Sequence, residues 1–170
     1  GSMVLDRKNK ICYTAISIRT DKGLVKNFCE EFGYIPVCFT ANQNINGSRL
    51  PIYHTNVMMC IADQFVIICL DAIDDKHERN KVESILKESN KEIIEISEDQ
   101  KNEFAGNMLQ VIGDQPYLIM SDSAYNSLLD IQISKIEYYC PIISTSLDTI
   151  ETCGGGSARC MMAEIFLPKI

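Results

Sequence analysis

Basic residues are in short supply in this sequence. Lys and Arg total 16 against 23 Asp and Glu, for a net charge of −7. That balance excludes the basic stripe with which proteins neutralise phosphates, so nucleic acid is not an expected partner. An acidic surface favours a small cationic ligand, though only weakly. No apolar run approaches the roughly 20 residues needed to span a bilayer, so no membrane association is expected. No basic stretch followed by an apolar one opens the chain, so no secretory signal is read. Histidine is scarce, with 2 in 170 residues, and no Cys-x-x-Cys pair occurs. A zinc site would lack its usual ligand spacing, and no metal is expected.

What is present is a globular composition. The chain is 46% hydrophobic with mean hydropathy near zero, a length suited to one domain or part of one. It holds eight cysteines. Cys12, Cys38, Cys60, Cys69 and Cys160 lie in or beside strand-like runs, and Cys29 falls on the apolar face of a helix. These are expected to be buried free thiols behaving as small hydrophobes, in a reduced, cytoplasmic protein.

In chain order, Val4–Leu5 and Ile11–Ile18 read as strands around a polar turn. Thr20 is placed to cap a helix with Leu24, Val25, Phe28, Cys29 and Phe32 on one face, and Gly33 to end it. A short strand at Pro36–Phe39 and a polar loop over Thr40–Leu50 follow. A second round has strands at Val57–Ile61 and Phe65–Leu70, a helix capped by Asp74 or Asp75, and a strand at Glu92–Ile96. The third has Met108–Ile112, Tyr117–Met120, a helical region over Ser121–Tyr139, and Pro141–Ser144.

These rounds share a pattern. Ile61-Ala-Asp-Gln64 recurs as Ile112-Gly-Asp-Gln115, and Ile93-Ile94 as Ile142-Ile143, each about 50 residues on. Each unit is strand–turn–strand–helix–strand, which implies modules packed against one another. Chance similarity inside a plain α/β domain is the competing reading. The modules fall near 1–50, 51–100 and 101–147. A terminal loop and strand follow over 148–170, with the strand at Arg159–Leu167. Three modules and a tail leave an open sheet edge, so the sequence is expected to be the C-terminal part of a longer polypeptide. Gly1-Ser2-Met3 reads equally as a native start or a cloning remnant.

The segment with the strongest chemical character is Glu151-Thr-Cys-Gly-Gly-Gly-Ser-Ala-Arg-Cys160. Glycines allow a backbone to approach a ligand closely. A thiol at the mouth of such a loop is a candidate nucleophile, against the plainer reading of a flexible connector beside a buried cysteine. A thiol nucleophile needs an acid–base partner. His77 sits in a charged helix start and is expected to face solvent, which leaves His54, in Ile52-Tyr-His-Thr-Asn-Val57.

The string Gly-Gly-Gly-Ser-Ala-Arg-Cys160, with Tyr53-His-Thr-Asn-Val-Met-Met-Cys60 and Ser17-Ile-Arg-Thr20, resembles segments of the guanidino-group-modifying superfamily. That group comprises arginine deiminases, amidinotransferases, dimethylarginine hydrolases and a citrulline-utilisation branch, to which these strings are most similar. The resemblance covers nearly the whole chain. It implies a pentein-type α/β propeller, five ββαβ units around a pseudo-five-fold axis, of which about three would be here.

It also implies a cysteine-dependent hydrolase acting on the guanidino or ureido carbon of arginine- or citrulline-like substrates, through a thiouronium-type intermediate and without metal or organic cofactor. Cys160 would be the nucleophile and His54 the acid–base. Arg19 would grip the substrate carboxylate, a contact suited to guanidinium geometry. Asn56 would orient the site, where many members carry aspartate. Asn107, in a Gly-Asn pair before a module strand, is either a structural turn or a channel-lining group. Gly155, Gly156 and Ser157 would line the substrate's place. The family's glutamate for the guanidinium would fall at or before residue 1, so the missing N-terminal modules are an implied partner. Amidino transfer on the same scaffold and a non-catalytic pentein interaction module are the competing readings.

Overall fold

A computed structural model describes residues 1–165. Its backbone is three copies of one unit. In the first, β1 (Val4–Asp6) pairs antiparallel with β2 (Ile11–Ala15), α1 (Lys22–Phe32) crosses over, and β3 (Ile35–Phe39) pairs parallel with β2. In the second, β6 (Met59–Ile61) and β7 (Phe65–Ile68) form the hairpin, α2 (Lys76–Glu88) crosses, and β8 (Glu92–Glu95) pairs parallel with β7. In the third, β9 (Leu109–Ile112) and β10 (Pro116–Ser121) precede α4 (Asp122–Ser127) and α5 (Asp130–Tyr139), and β11 (Ile142–Thr145) pairs parallel with β10. The second strand of each unit is therefore central, and β2 and β7 are buried at every position, as strands covered on both faces must be.

The equivalent first strands meet: β1 packs on β6, and β6 on β9. One apolar cluster runs through all three units, from Val4 and Tyr13 through Phe65 and Ile67 to Leu118 and Ile136. A smaller cluster of Cys12, Val25 and Cys29 lies under α1. The array is an open set of three three-stranded sheets, with a separate two-stranded one, of the pentein-type propeller kind.

Several local expectations need correction. The cap of α1 is Asp21, whose carboxylate accepts from the Leu24 N–H at 2.9 Å, and not Thr20, which is buried. Only Val25 and Cys29 of the α1 face are buried, while Leu24 and Phe32 are exposed. The supposed polar loop over 40–50 is a two-stranded hairpin, β4 (Asn42–Ile45) with β5 (Ser48–Pro51), turning at Asn46-Gly47. Residues Thr55–Val57 make a 3-10 turn before β6, shortening the expected strand. The helical stretch over 121–139 breaks at Leu128 and Leu129, whose backbones are extended.

The terminal strand expected over Arg159–Leu167 does not form among the described residues. Ala158–Met161 form a 3-10 turn and 162–165 have no regular structure, while 166 and 167 lie outside the described residues. Cys160, expected to be buried, is exposed, and Cys38 is half-buried. Gly33, at φ 69, does end α1, Asp75 does cap α2, and His77 is exposed.

One buried ion pair joins the first two units. The Lys91 ammonium, just before β8, lies 3.3 Å from the Asp6 carboxylate at the end of β1, both almost fully buried. It also donates to the carbonyls of Ala62 and Asp63 in the β6–β7 turn, at 2.9 and 2.8 Å. Asp6 accepts further from the backbone and side chain of Asn9. Removing one partner would leave a buried charge uncompensated. Lys91→Met should therefore lower the unfolding free energy by about 3–5 kcal/mol in a urea titration, whereas a change under 1 kcal/mol would show that the pair does not hold the units together.

Candidate active site

The residues just ahead of each unit's first strand converge. Gly1 precedes β1, the His54–Asn56 segment precedes β6, and Asn107 precedes β9. The Asn56 N–H donates to the Gly1 carbonyl at 3.1 Å, and the Asn107 Nδ2 donates to the Asn56 carbonyl at 3.0 Å. Thr55 fixes the middle segment: its hydroxyl accepts from the Ala15 N–H at 2.9 Å and donates to the Ser2 carbonyl.

Asn107 is brought there by α3 (Glu98–Asn102). A reciprocal capping box starts this helix, with the Ser97 hydroxyl accepting from the Gln100 N–H and the Gln100 carboxamide accepting from the Ser97 N–H. The following Gly106 is packed against the 3-10 turn. A Cβ built on it would lie 2.4 Å from the Val57 carbonyl oxygen and 2.8 Å from the Met58 carbonyl carbon. Only glycine allows the two backbones to come so close.

The cysteine loop hangs from the same point. After α6 (Asp148–Gly154), Gly155 turns the chain at φ 66. Glu151 is buried and clamps the loop from beneath, accepting from the Ser157 hydroxyl at 2.6 Å and from the Ser123 hydroxyl at 2.8 Å. The Arg159 N–H then donates to the Asn107 carbonyl at 3.3 Å. A Cβ on Gly156 would lie 3.1 Å from the Cys160 Sγ, so the thiol folds back over the glycine.

These segments enclose a cavity of about 170 Å³ lined by Tyr53, His54, Asn56, Asn107, Gly155, Gly156 and Cys160, with Val57 and Phe104 as its apolar wall. Gln43, Lys101 and Asn102 complete the lining, and among the described residues no carboxylate does so. The Cys160 Sγ lies 3.4 Å from the Asn107 Nδ2 and 3.9 Å from the Asn56 Nδ2. Since a carbonyl only accepts, the Asn107 bond to the Asn56 backbone fixes which end of that carboxamide is N–H. The Oδ1 atoms of Asn56 and Asn107 are buried and have no hydrogen-bond partner. Two buried acceptors without partners are a standing cost, about 1–3 kcal/mol each.

Of the expected site residues, His54, Asn56, Asn107, Gly155, Gly156 and Cys160 share this cavity. Ser157 does not line it; it is fully buried on Glu151. Arg19 does not line it either. Its guanidinium is exposed and stands 5.7 Å from the centroid of the Tyr53 ring, while Ser17 donates to the Tyr53 carbonyl at 2.9 Å. Tyr53 in turn packs at a tilt against His54, ring centroids 4.9 Å apart, and its hydroxyl donates to the Gly155 carbonyl at 3.4 Å. The sequence reading missed Lys101 and Gln43, which sit among charged and polar neighbours like any solvated surface. Two other cavities, of about 250 and 590 Å³, contain no cysteine among their lining residues. Among the described residues no group of three metal-ligating side chains occurs, and no helix is long and apolar enough to cross a membrane.

Three ββαβ units, with a thiol and an imidazole gathered where their first strands meet, are the architecture of the pentein superfamily of guanidino-modifying proteins. A model of the family described as N,N dimethylarginine dimethylhydrolase, eukaryotic, matches residues 1–167, and the chain belongs to that family.

Solved structures agree on the fold. An arginine dihydrolase of the cyanobacterial ornithine-ammonia cycle, ArgZ, superposes with a TM-score of 0.72 at 17% identity over 95% of this chain and 22% of its own. AgrE, in a complex with ornithine and NAD+, gives 0.73 at 17% identity over 100% of this chain and 23% of its own. An agmatine deiminase of C. jejuni gives 0.53 at 16% identity over 94% and 53%. The chain thus spans about a quarter to a half of the length of these relatives. No curated protein matches it.

His54 is held below its ordinary pKa of 6.5, first by burial and further by the nearby Arg19 guanidinium. Its imidazole is therefore mainly neutral at pH 7. As pH falls, the unfolded chain takes up this proton first, so the site loses stability on the acid side of 6.5. An NMR titration should place the His54 midpoint below 6.5; a midpoint above it would mean a neighbouring anion outweighs burial. Gly106→Ala should cost about 1–3 kcal/mol through forced backbone separation and slow alkylation of Cys160. An unchanged rate would show that the Val57 contact does not position the thiol.

Proposed function

We propose that this chain carries the nucleophile and the acid–base of a cysteine-dependent hydrolase acting on the guanidino or ureido carbon of arginine-like substrates. The observation that carries the reading is the cavity itself. A thiol, a mainly neutral imidazole and two asparagines, each with an unpartnered carboxamide oxygen, line one space of small-molecule size.

The sulfur of Cys160 attacks the sp² carbon as thiolate, with the Asn107 and Asn56 N–H groups as its donors. The Oδ1 atoms of the same residues accept substrate N–H groups. His54 takes the Cys160 thiol proton and then gives it to the departing amine as the C–S bond forms and the C–N bond breaks, leaving a thiouronium-type intermediate. It then takes a proton from water as the water oxygen bonds to the carbon, and the C–S bond breaks to return the thiolate. Gly155 and Gly156 shape the wall beside the sulfur. Ser157 supports the loop through Glu151. Arg19, placed over Tyr53 at the edge, assists capture of the substrate carboxylate.

Methylated arginines join arginine and citrulline as candidate substrates because of the family to which the chain belongs. A cationic guanidinium calls for carboxylates, and they would come from outside this cavity's described lining. Amidino transfer would use the same first half-reaction, with an amine in place of water. A non-catalytic role is disfavoured by the shared position of thiol and imidazole.

The test is hydrolysis of arginine, citrulline and methylated arginines by the polypeptide that contains this chain. Cys160→Ala should lower turnover by at least about 10³-fold, and a 2-haloacetamidine should alkylate Cys160 faster than the exposed Cys153. Full turnover in Cys160→Ala would end the proposal.

A further inference from the structure

Lys101 is a lysine with almost no access to solvent, 2% exposed, on the wall of the cavity that holds Cys160. Buried lysines are ordinarily paired with a carboxylate. Among the described residues Lys101 has no such ion pair. Its electrostatic neighbour Glu98 is bound to the Arg49 guanidinium at 2.6 Å, and Arg49 is bound to Asp74 at 2.6 Å. The Lys101 ammonium instead donates to two neutral carbonyls, Gln43 Oε1 at 3.2 Å and Asn102 Oδ1 at 2.7 Å.

Those two bonds have a directional consequence. With their oxygens turned to the ammonium, Gln43 and Asn102 keep their NH₂ groups as the groups available to a ligand. Both residues line the cavity, Gln43 half-buried and Asn102 exposed. One proton of the ammonium is left over as well. This part of the wall is a cluster of N–H donors backed by a buried positive charge, with no carboxylate among the lining residues. Beside the sulfur the polarity is reversed, since the free groups there are the acceptors of Asn56 and Asn107.

We propose that Lys101, acting through Gln43 and Asn102, is an anion-recognition element of this cavity that selects substrates carrying a carboxylate. It rests on the hydrolase reading for the identity of the substrate and assigns the end of the molecule remote from the reacting carbon. N–H-rich guanidino or ureido nitrogen meets the asparagine oxygens, and the carboxylate meets the lysine-backed donors. A decarboxylated amine would present nothing to the donor cluster. Lys101 is a specificity-determining residue, distinct from Arg19 at the rim.

The experiment compares an anionic and a neutral electrophile at the same sulfur. 6-Bromohexanoate and 6-bromohexanamide both transfer a six-carbon unit to a thiolate with loss of bromide, and they differ only at the end remote from the reacting carbon, carboxylate against carboxamide. The ratio of their rate constants, resolved by peptide mapping at Cys160 and at the exposed Cys153, cancels the intrinsic reactivity of each thiol. In the 170-residue chain the ratio should be higher at Cys160 than at Cys153. Lys101→Met should lower it at Cys160 by about three- to tenfold and leave Cys153 unchanged, while Lys101→Arg keeps it. Asn102→Leu, at an exposed position, should lower it by a smaller factor, and it decides the question if Lys101→Met does not fold. An unchanged ratio in a folded Lys101→Met, or in Asn102→Leu where the first does not fold, overturns the proposal. Loss of the haloacetamidine preference with a ratio that still responds to Lys101 would sink the hydrolase reading and leave the anion subsite standing.

Discussion

The seat of Gly106 and Asn107 on the Thr55–Val57 turn is the contact on which the site depends. A side chain at 106 would collide with the Val57 carbonyl oxygen, so the backbones touch only because that position is glycine. Asn107 then spends each of its polar groups differently. Its backbone carbonyl holds the Arg159 N–H, its Nδ2 holds the Asn56 carbonyl and approaches the Cys160 sulfur, and its Oδ1 stays free. One residue thus joins the second unit, the third unit and the cysteine loop. Backbone polar groups that would otherwise be stranded in the centre of the array are satisfied by the same contact that places the thiol.

The repeat was legible in the sequence because its signal is redundant. Apolar strands, a capped helix and a polar turn recur in the same order, and the central strands β2 and β7 are buried at every position. The β4–β5 hairpin was not legible. Asn42-Gln-Asn-Ile45 has no apolar alternation, and its strands pair only with one another at the edge of the cavity. The expected terminal strand failed for the opposite reason. Arg159–Leu167 is apolar enough to read as β, but around Cys160 local bonds win, with the Cys160 N–H on the Ser157 carbonyl and the Arg159 N–H on Asn107. Thr20 and Asp21 are both capping residues, and the geometry chose the stronger one.

The site was partly legible, through the glycine loop and the shortage of histidine. Glu151 stands in a run of polar residues that gives no sign of burial, yet it is a buried clamp between Ser123 and Ser157. Lys101 gave no signal, because Ser97–Glu103 has the composition of an exposed helix. Its burial follows from the docking of α3 under Gln43, a tertiary event no local pattern encodes. The acidic surface and the carboxylate-free cavity also stand apart: net charge said nothing about the polarity of the wall around the sulfur.

A thiol and an imidazole lining one cavity form a functional pair only if the second governs the first. The direct measure is the pH dependence of Cys160 alkylation by a neutral reagent, in the wild-type chain and in His54→Gln. The account predicts a wild-type profile with an inflection at the His54 titration, and a slower profile without that inflection in the variant. Superimposable profiles would contradict it, because the imidazole would then be a neighbour of the sulfur and not its partner.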